Sequence, residues 1–118
     1  MKYRYWLVIV LALSLLVISC VPEDTSRTVR FYASSTSGTV SVDYFCGEED
    51  SFSDGYISLD DQISPWSVEM EAEVGDYVYL IAGNLLGEEG LIARIYVDGK
   101  LFEEDTGDSF AWVFGYVE

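Results

Sequence analysis

The chain has 118 residues, which is room for one domain, and it carries 21 acidic residues against 6 basic ones. Histidine is absent, which excludes Ser-His-Asp and Cys-His catalysis and most catalytic zinc sites. Lys2 and Arg4 precede every acid, so the rest of the chain has four bases against 21 acids, a formal charge of −17. A domain this acidic repels phosphate backbones, which excludes nucleic acid as a partner.

The first nineteen residues have the parts of a bacterial export signal. Lys2 and Arg4 give a positive start, residues 7–18 are almost continuously apolar, and Ser19 is a small residue at the cleavage point. We therefore predict a signal peptide over residues 1–19 and place the remainder of the chain outside the cytoplasm.

The end of this segment, Val17-Ile18-Ser19-Cys20, is similar to a lipobox, in which the cysteine after the cut receives a diacylglycerol. The prediction is a lipoprotein held on the membrane through Cys20, with a lipidated tether at 20–27 and a domain at 28–118. An uncleaved anchor at 5–21 and plain secretion are the alternatives. All three put the domain on the extracytoplasmic side, because the positive charges precede the apolar run.

Beyond the tether, alternation of apolar and polar residues recurs and no stretch has a helical period. Seven strands are predicted, at residues 28–33, 39–46, 66–73, 77–82, 91–97, 100–103 and 109–117. Short strands at this spacing predict an all-β fold, a seven-stranded immunoglobulin-like β-sandwich.

Two local patterns are the clearest. Trp66, Val68, Met70 and Ala72 share one strand face, and acidic or small polar residues occupy the other. Asp98-Gly99 predicts a two-residue hairpin, because a type I′ turn needs positive φ at both central positions. Residues 77–82 are apolar on both faces, which indicates a central strand.

A series of motifs in a fixed order resembles the extracytoplasmic domain of the mycobacterial membrane protein small (MmpS) family. The motifs are Thr39-Val40-Ser41-Val42-Asp43-Tyr44, Ser64-Pro65-Trp66, Val74-Gly75-Asp76, Ala82-Gly83-Asn84 and the run Ala-Arg-Ile-Tyr-Val-Asp-Gly-Lys at 93–100. The similarity covers about residues 28–117, nearly all of the predicted mature chain.

The resemblance implies an immunoglobulin-like sandwich without catalytic residues, and an accessory role beside a large resistance-nodulation-division (RND) transporter that exports lipids or siderophores. The family's usual disulfide is absent here, because Ala93 and a residue near Gly115 occupy its two places. The family is anchored by a transmembrane helix, whereas the N-terminal segment of this chain resembles a lipobox that ends at Cys20.

Two groups of acidic residues are candidate cation sites, because oxygen-rich loops can hold calcium. They are Glu48-Glu49-Asp50 with Asp54 and Asp60-Asp61, and Glu103-Glu104-Asp105 with Asp108. The EF-hand pattern fails at Phe52, and the favoured interpretation of both groups is a solvated surface. Carboxylate pairs suited to glycoside hydrolysis arise by chance in so acidic a chain, so no enzymatic activity and no cofactor are predicted.

Aromatic residues and a cysteine complete the candidates. Trp66 and Trp112 are expected in the core, although aromatic platforms also bind sugars and peptides. The face that carries Tyr77 and Tyr79 is either a second core surface or an exposed contact patch. Cys46 follows the apolar face of its strand and is expected to be a buried small hydrophobe.

These observations favour a non-catalytic envelope lipoprotein that binds another envelope protein, with an RND-type transporter as one candidate partner. The alternative is a stand-alone surface module that binds a glycan, a peptide or a cation. The two differ in the kind of partner, and the sequence does not identify it.

Overall fold

The computed structural model describes residues 24–83 and 89–118, which form eight β-strands. The strands are β1 (Ser26–Ser34), β2 (Thr39–Gly47), β3 (Ile57–Ile63), β4 (Trp66–Glu73), β5 (Tyr77–Ala82), β6 (Leu91–Val97), β7 (Lys100–Gly107) and β8 (Ala111–Tyr116). Between β2 and β3, a 3-10 turn at Glu49–Ser51 leads into one helical turn, α1 (Phe52–Gly55). The predicted all-β class is confirmed, whereas the predicted strand count of seven is wrong.

The strands form two four-stranded antiparallel sheets that pack face to face. Sheet A has the order β4-β1-β6-β7, and sheet B has the order β3-β2-β5-β8. The predicted two-layer arrangement is therefore confirmed. The prediction that residues 77–82 form a central strand is also confirmed, because β5 lies between β2 and β8.

The core lies between the sheets and follows the period-two alternation of the central strands. Its buried side chains are Val29, Phe31 and Ala33 of β1, Val40, Val42 and Tyr44 of β2, Val78, Leu80 and Ala82 of β5, and Leu91, Ala93 and Ile95 of β6. Tyr44 connects the layers, because its ring lies 5.3 Å from that of Phe31 and 5.3 Å from that of Trp66, centroid to centroid. Burial of each large apolar side chain stabilises the fold by roughly 1.5–3 kcal/mol.

The strand that the sequence pattern does not predict is β3. It is an edge strand that pairs only with β2, and of its side chains only Leu59 packs against the core. Its pairing comes from backbone hydrogen bonds, so it needs no apolar alternation. Asp60 and Asp61 belong to this strand and not to an acidic loop, and their charge opposes edge-to-edge pairing with other chains.

The predicted hairpin between β6 and β7 is confirmed. Asp98 has φ 50° and Gly99 has φ 79°, the two positive values that a type I′ turn requires. The turn is fixed to β1, because an Asp98 Oδ1 oxygen accepts a 2.9 Å hydrogen bond from the Thr28 backbone N–H. The hairpin thereby becomes part of sheet A.

The N-terminal part of the domain begins with β1 at Ser26, within the stretch that was expected to be tether. The predicted signal peptide at 1–19 and the predicted lipidation site Cys20 lie outside the described residues. Among the residues that the structure describes, no helix is long and apolar enough to cross a membrane.

Candidate functional site: an aromatic face on sheet B

The central strand β5 contributes tyrosines to the outer surface of sheet B, and these alternate along the strand with buried aliphatic residues. Val78 and Leu80 are fully buried against sheet A. Because successive side chains in a strand point to opposite faces, Tyr77 and Tyr79 lie on the outer surface, where they are partly buried. The polar ends of these rings therefore face away from the core.

The neighbouring edge strand, β8, follows the same rule with larger aromatic residues. Ala111 and Val113 are buried in the core. The alternating positions on the outer surface are Trp112, Phe114 and Tyr116, which are 51%, 49% and 50% exposed. Three successive large aromatic side chains are thus half exposed to water, although the core is formed by the opposite face of the strand.

The strand register brings the rings of β5 and β8 into contact. Tyr77 pairs with Tyr116, and Tyr79 pairs with Phe114. The Tyr77 and Tyr116 ring centroids are 5.4 Å apart, and those of Tyr79 and Trp112 are 6.2 Å apart. Trp112 and Phe114 follow at 4.8 Å. These separations are typical of favourable aromatic pairs, so the rings support each other as one layer.

The helical turn α1 adds two more rings to this layer. The Phe52 ring meets that of Tyr79 edge-on, with centroids 4.7 Å apart, and lies 5.7 Å from that of Tyr77. Tyr56, which follows α1, is 6.1 Å from Phe52 and about half exposed. The segment between β2 and β3 is therefore held against the outer surface of sheet B by aromatic contacts.

Phe45 of β2 is the floor of this contact. It is 6% exposed and lies 5.5 Å from Phe52, centroid to centroid. Gly47 and Gly55 make room for it, since a Cβ at either position would lie 3.2 Å from the Phe45 ring. A side chain at either glycine would therefore require the Phe45 ring to shift by a few tenths of an ångström.

We call the eight rings together the aromatic face. Its members are Phe45, Phe52, Tyr56, Tyr77, Tyr79, Trp112, Phe114 and Tyr116. Contiguous exposed apolar surface of this kind marks interaction sites, and aromatic residues are enriched in the centres of protein interfaces. The aromatic face is therefore the strongest candidate binding surface of the described residues.

Carboxylates surround the tyrosine hydroxyls of the aromatic face. Tyr116 donates a 2.7 Å hydrogen bond to Glu49 Oε2, and this bond raises the pKa of Tyr116. Burial raises the pKa of Tyr77, with a further contribution from Glu49. Burial also raises the pKa of Tyr79, and the Asp43 carboxylate adds to it. All three hydroxyls therefore stay protonated near neutral pH, and those of Tyr77 and Tyr79 can donate hydrogen bonds to a ligand.

A pocket of about 200 Å³ opens within the aromatic face. Three of its walls are the aromatic side chains of Phe52, Tyr56 and Tyr79, and the fourth is Asp43 of β2. Asp43 and Tyr79 belong to neighbouring strands of sheet B, whereas Phe52 and Tyr56 come from the α1 segment. The pocket thus exists only because α1 packs on the sheet.

The basic residues that the structure describes all lie on the other sheet. Arg27, Arg30, Arg94 and Lys100 lie on β1, β6 and β7, and the strands of sheet B contain neither lysine nor arginine. On the outer surface of sheet A, the Arg30 guanidinium lies 4.4 Å from the Tyr96 ring centroid and that of Arg94 lies 5.4 Å from the Tyr32 ring. The aromatic face is consequently acidic, with no cation of its own on the sheet beneath it.

The structure separates the two tryptophans that were expected in the core. Trp66 packs against the core beside Tyr44, as expected. The prediction for Trp112 is wrong, because its side chain is half exposed on the outer surface of sheet B. For Tyr77 and Tyr79, the structure selects the exposed contact patch over a second core.

Cys46 lies where the strand pattern indicated, on the inner side of β2. It is partly buried, packs against the core, and is the one free cysteine among the described residues. Burial raises the pKa of the Cys46 thiol to about 11, and the nearby Asp76 contributes. A thiol with this pKa is almost entirely protonated at neutral pH and is a poor nucleophile.

The acidic groups do not assemble into a cation site. Within residues 24–83 and 89–118, no three carboxylate or thiol side chains converge in a way that could hold a metal ion. Asp60 and Asp61 lie on the edge strand β3, and Glu103-Glu104-Asp105 lies on β7. These acidic residues are exposed, which agrees with their favoured interpretation as solvated surface.

Together, the fold and the site define a class, a two-sheet antiparallel β domain with one charged and one aromatic outer surface. The chain matches no known protein family model. It likewise matches no curated protein. The aromatic face, with its pocket and its acidic surroundings, is thus the feature from which a function can be argued.

Proposed function

We propose that the protein is a non-catalytic cell-envelope lipoprotein whose domain binds another envelope protein through the aromatic face. The observation that supports this most is the row Trp112, Phe114 and Tyr116, each about half exposed on a sheet whose inner side is already closed. The fold does not need these rings on the outer surface. A partner that covers them would remove a large apolar area from water.

The rigidity of the aromatic face also favours a protein partner. Five of its eight rings are carried by the neighbouring strands β5 and β8, and each of these five contacts at least one other. Aromatic side chains that are fixed before binding lose little conformational entropy, which is why tyrosine and tryptophan dominate the energetic centres of interfaces. The tyrosine hydroxyls supply hydrogen bonds at the polar ends of the rings.

The proposed location follows from the N-terminal pattern. A lipid on Cys20 would hold the domain on the extracytoplasmic side of a membrane, with residues 20–25 as the tether before β1. The acidic domain would be repelled by anionic lipid headgroups, which keeps the aromatic face free for a protein partner.

We also propose an immunoglobulin-like assignment for the sandwich. In that fold, one sheet has the strand order C′-C-F-G, and in the other sheet strand B lies between A and E. The order β3-β2-β5-β8 fits C′-C-F-G, and the neighbours β4 and β1 fit E and B. The β6–β7 hairpin then takes the place of strand A beside β1. This assignment supports the resemblance to the MmpS family, whose Asp-Gly hairpin corresponds to the same β6–β7 turn.

The MmpS-like resemblance suggests an RND-type transporter as the partner. The surface of that partner should be apolar at its centre and positively charged around it, because the aromatic face is acidic at its margins. The family's membrane helix is replaced here by the proposed lipid anchor. Contact with a transporter would therefore be made by the domain itself.

A pull-down from detergent-solubilised membranes tests this function. The full-length protein, a Trp112→Ser/Phe114→Ser variant and a Glu69→Gln/Glu71→Gln variant of sheet A are compared as baits. We expect the native protein and the sheet A variant to capture the same envelope protein, and the aromatic variant to lose at least about tenfold of it. Equal capture by all three baits would refute the role of the aromatic face.

The second candidate is a stand-alone surface module that binds a glycan. Exposed aromatic rings beside carboxylates, as at Tyr79 and Asp43, can stack on sugar rings while the carboxylates accept hydrogen bonds from hydroxyls. Binding of polysaccharide by the full-length protein, without capture of any envelope protein, would favour this candidate.

A further inference from the structure

The pocket of the aromatic face combines two features that attract an organic cation. Phe52, Tyr56 and Tyr79 present aromatic rings, whose faces carry negative charge density. Asp43 adds a carboxylate in the same wall, and this carboxylate forms no ion pair among the described residues. An alkylammonium group among aromatic rings is bound by cation–π attraction, which aromatic cages use to recognise ammonium ligands.

The charged groups around the pocket also favour the binding of a cation. Asp43 and Tyr79 line the same pocket, and the carboxylate adds to the rise in the pKa of Tyr79 that burial mainly causes. Glu49 lies on the adjoining part of the aromatic face, bonded to Tyr116. The strands of sheet B bring no lysine or arginine that could occupy the pocket from within the sheet.

The size of the pocket suits a compact organic group. An enclosed apolar cavity of about 150 Å³ is enough to bind benzene, and this open pocket has about 200 Å³. A metal ion fits it less well, since calcium requires 6–8 oxygen ligands and the pocket offers a single carboxylate.

We propose that this pocket, the ammonium pocket, receives the side chain of a lysine from the partner protein. The proposal rests on the proposed function and names the group that the aromatic face recognises. The lysine methylenes pack against Phe52 and Tyr56, and the ammonium lies over the Tyr79 ring beside Asp43. Its remaining protons face water through the open mouth, so the strongly hydrated ammonium is not fully stripped of solvent.

A matched pair of probes tests this proposal. N-acetyl-lysine-N-methylamide and its neutral analogue N-acetyl-norleucine-N-methylamide are titrated against the full-length chain in phosphatidylglycerol nanodiscs, with empty nanodiscs as the blank. Saturation-transfer difference NMR reports the binding of each probe. Phosphatidylglycerol carries no ammonium group that could compete with the probes.

We expect the lysine probe to bind at least about fivefold more tightly than the norleucine probe, since a cation–π contact and a carboxylate each favour the charged group. Asp43→Asn should remove this preference, and Tyr56→Leu should weaken binding of the lysine probe. Glu69→Gln, which removes a carboxylate from the outer surface of sheet A, should leave both affinities unchanged. Tyr56 is half exposed, so its replacement leaves the core intact.

Equal binding of the two probes, or a preference that survives Asp43→Asn, would overturn the ammonium pocket. A failure of both probes to bind would overturn it as well. The aromatic face is judged separately, because the Trp112→Ser/Phe114→Ser bait leaves all four pocket residues in place. If that bait loses the partner while Asp43→Asn retains it fully, the face binds the partner and the pocket takes no lysine. If neither change affects capture, both proposals fail.

Discussion

The outer surfaces of the two sheets differ, although both cover the same core with the same period-two alternation. On sheet A, Arg30 lies over Tyr96, and Arg94 forms an ion pair with Glu104. On sheet B, the corresponding positions carry aromatic rings that contact one another and remain half exposed. Arg30 and Arg94 thus find partners within sheet A, whereas the rings of sheet B expose apolar surface to water.

This difference separates the residues that make the fold from those that are free to serve a function. One face of each strand is sufficient to build the core, so the other face can vary without loss of the sandwich. Sheet A uses this freedom for a charged surface that stays solvated. Sheet B uses it for the aromatic face, which we interpret as the binding surface.

The largest expected change in the free energy of unfolding distinguishes an inner residue from an outer residue on two paired strands of sheet B. Leu80→Ala should lower the free energy of unfolding by about 3 kcal/mol, because it leaves a cavity in the core. Phe114→Ser, on the exposed face of β8, should cost less than about 1 kcal/mol. Urea denaturation monitored by circular dichroism measures both. A larger cost for Phe114→Ser would mean that the rings are structural rather than available for binding.

The inner side of β2 gives the next prediction, through the thiol of Cys46. Because its pKa is raised to about 11, its alkylation by iodoacetamide at pH 8 should be roughly a hundredfold slower than that of glutathione. A Cys20→Ser variant removes the other thiol from the assay. A rate close to that of glutathione would place Cys46 in water and contradict the described packing.

The same thiol makes stability depend on pH in a defined window. The folded protein holds this proton more tightly than the unfolded chain, whose thiol has the ordinary value of 9.0. The resulting stabilisation is complete below about pH 9 and is lost as the pH rises towards 11. Urea midpoints at pH 8 and pH 10.5 should therefore fall less for Cys46→Ser than for the native protein. An equal fall in both proteins would show that another group is responsible.

The net charge of the domain should have a smaller effect on its stability, which depends on the salt concentration. The formal charge of −17 on residues 20–118 makes the folded state repel itself. An increase in sodium chloride from about 10 mM to 500 mM should raise the melting temperature by about 5 °C, which corresponds to about 1 kcal/mol for a domain of this size. Differential scanning fluorimetry measures the change. A flat response would mean that repulsion between the acidic side chains does not limit the stability of the fold.

The smallest expected effect concerns the outer surface of sheet A. Arg30→Met keeps the length of the side chain and removes its cation–π contact with Tyr96. This change should cost about 0.5 kcal/mol of stability and leave partner capture unchanged. Loss of capture with native stability would move the binding surface to sheet A.

The sequence predicts those elements whose two faces differ in polarity. Trp66, Val68, Met70 and Ala72 alternate with polar residues, and the resulting strand is β4. The Asp98-Gly99 turn is predicted because few residue pairs accept positive φ at both positions. In each case a local physical requirement is visible in the residue types themselves.

The sequence does not predict β3 or the orientation of β8, for two different reasons. As an edge strand, β3 forms its ladder through the backbone, and its side chains stay largely outside the core. In β8, both faces are apolar, and size suggests that Trp112 rather than Ala111 is buried. The opposite is found, because Ala111 and Val113 fit the narrow space between the sheets. Only the three-dimensional packing distinguishes the two orientations.

The aromatic face as a whole was also beyond sequence reasoning. Its members come from β2, the α1 segment, β5 and β8, and long stretches of chain separate them. The nearest signal was the alternation of Tyr77 and Tyr79 with Val78 and Leu80, which left the role of the tyrosines open. A similar alternation of small and large apolar residues is present in β8, but it does not indicate which of the two faces is buried.

Site-specific photo-cross-linking tests the central claim most directly. A benzoylphenylalanine is placed in the full-length protein either at Phe114, on the aromatic face, or at Glu71, on the outer surface of sheet A, and membranes are irradiated. We expect a specific cross-linked envelope protein from position 114 and none from position 71. Cross-links from position 71 alone, or equal yields from both positions, would contradict the assignment of the aromatic face as the binding surface.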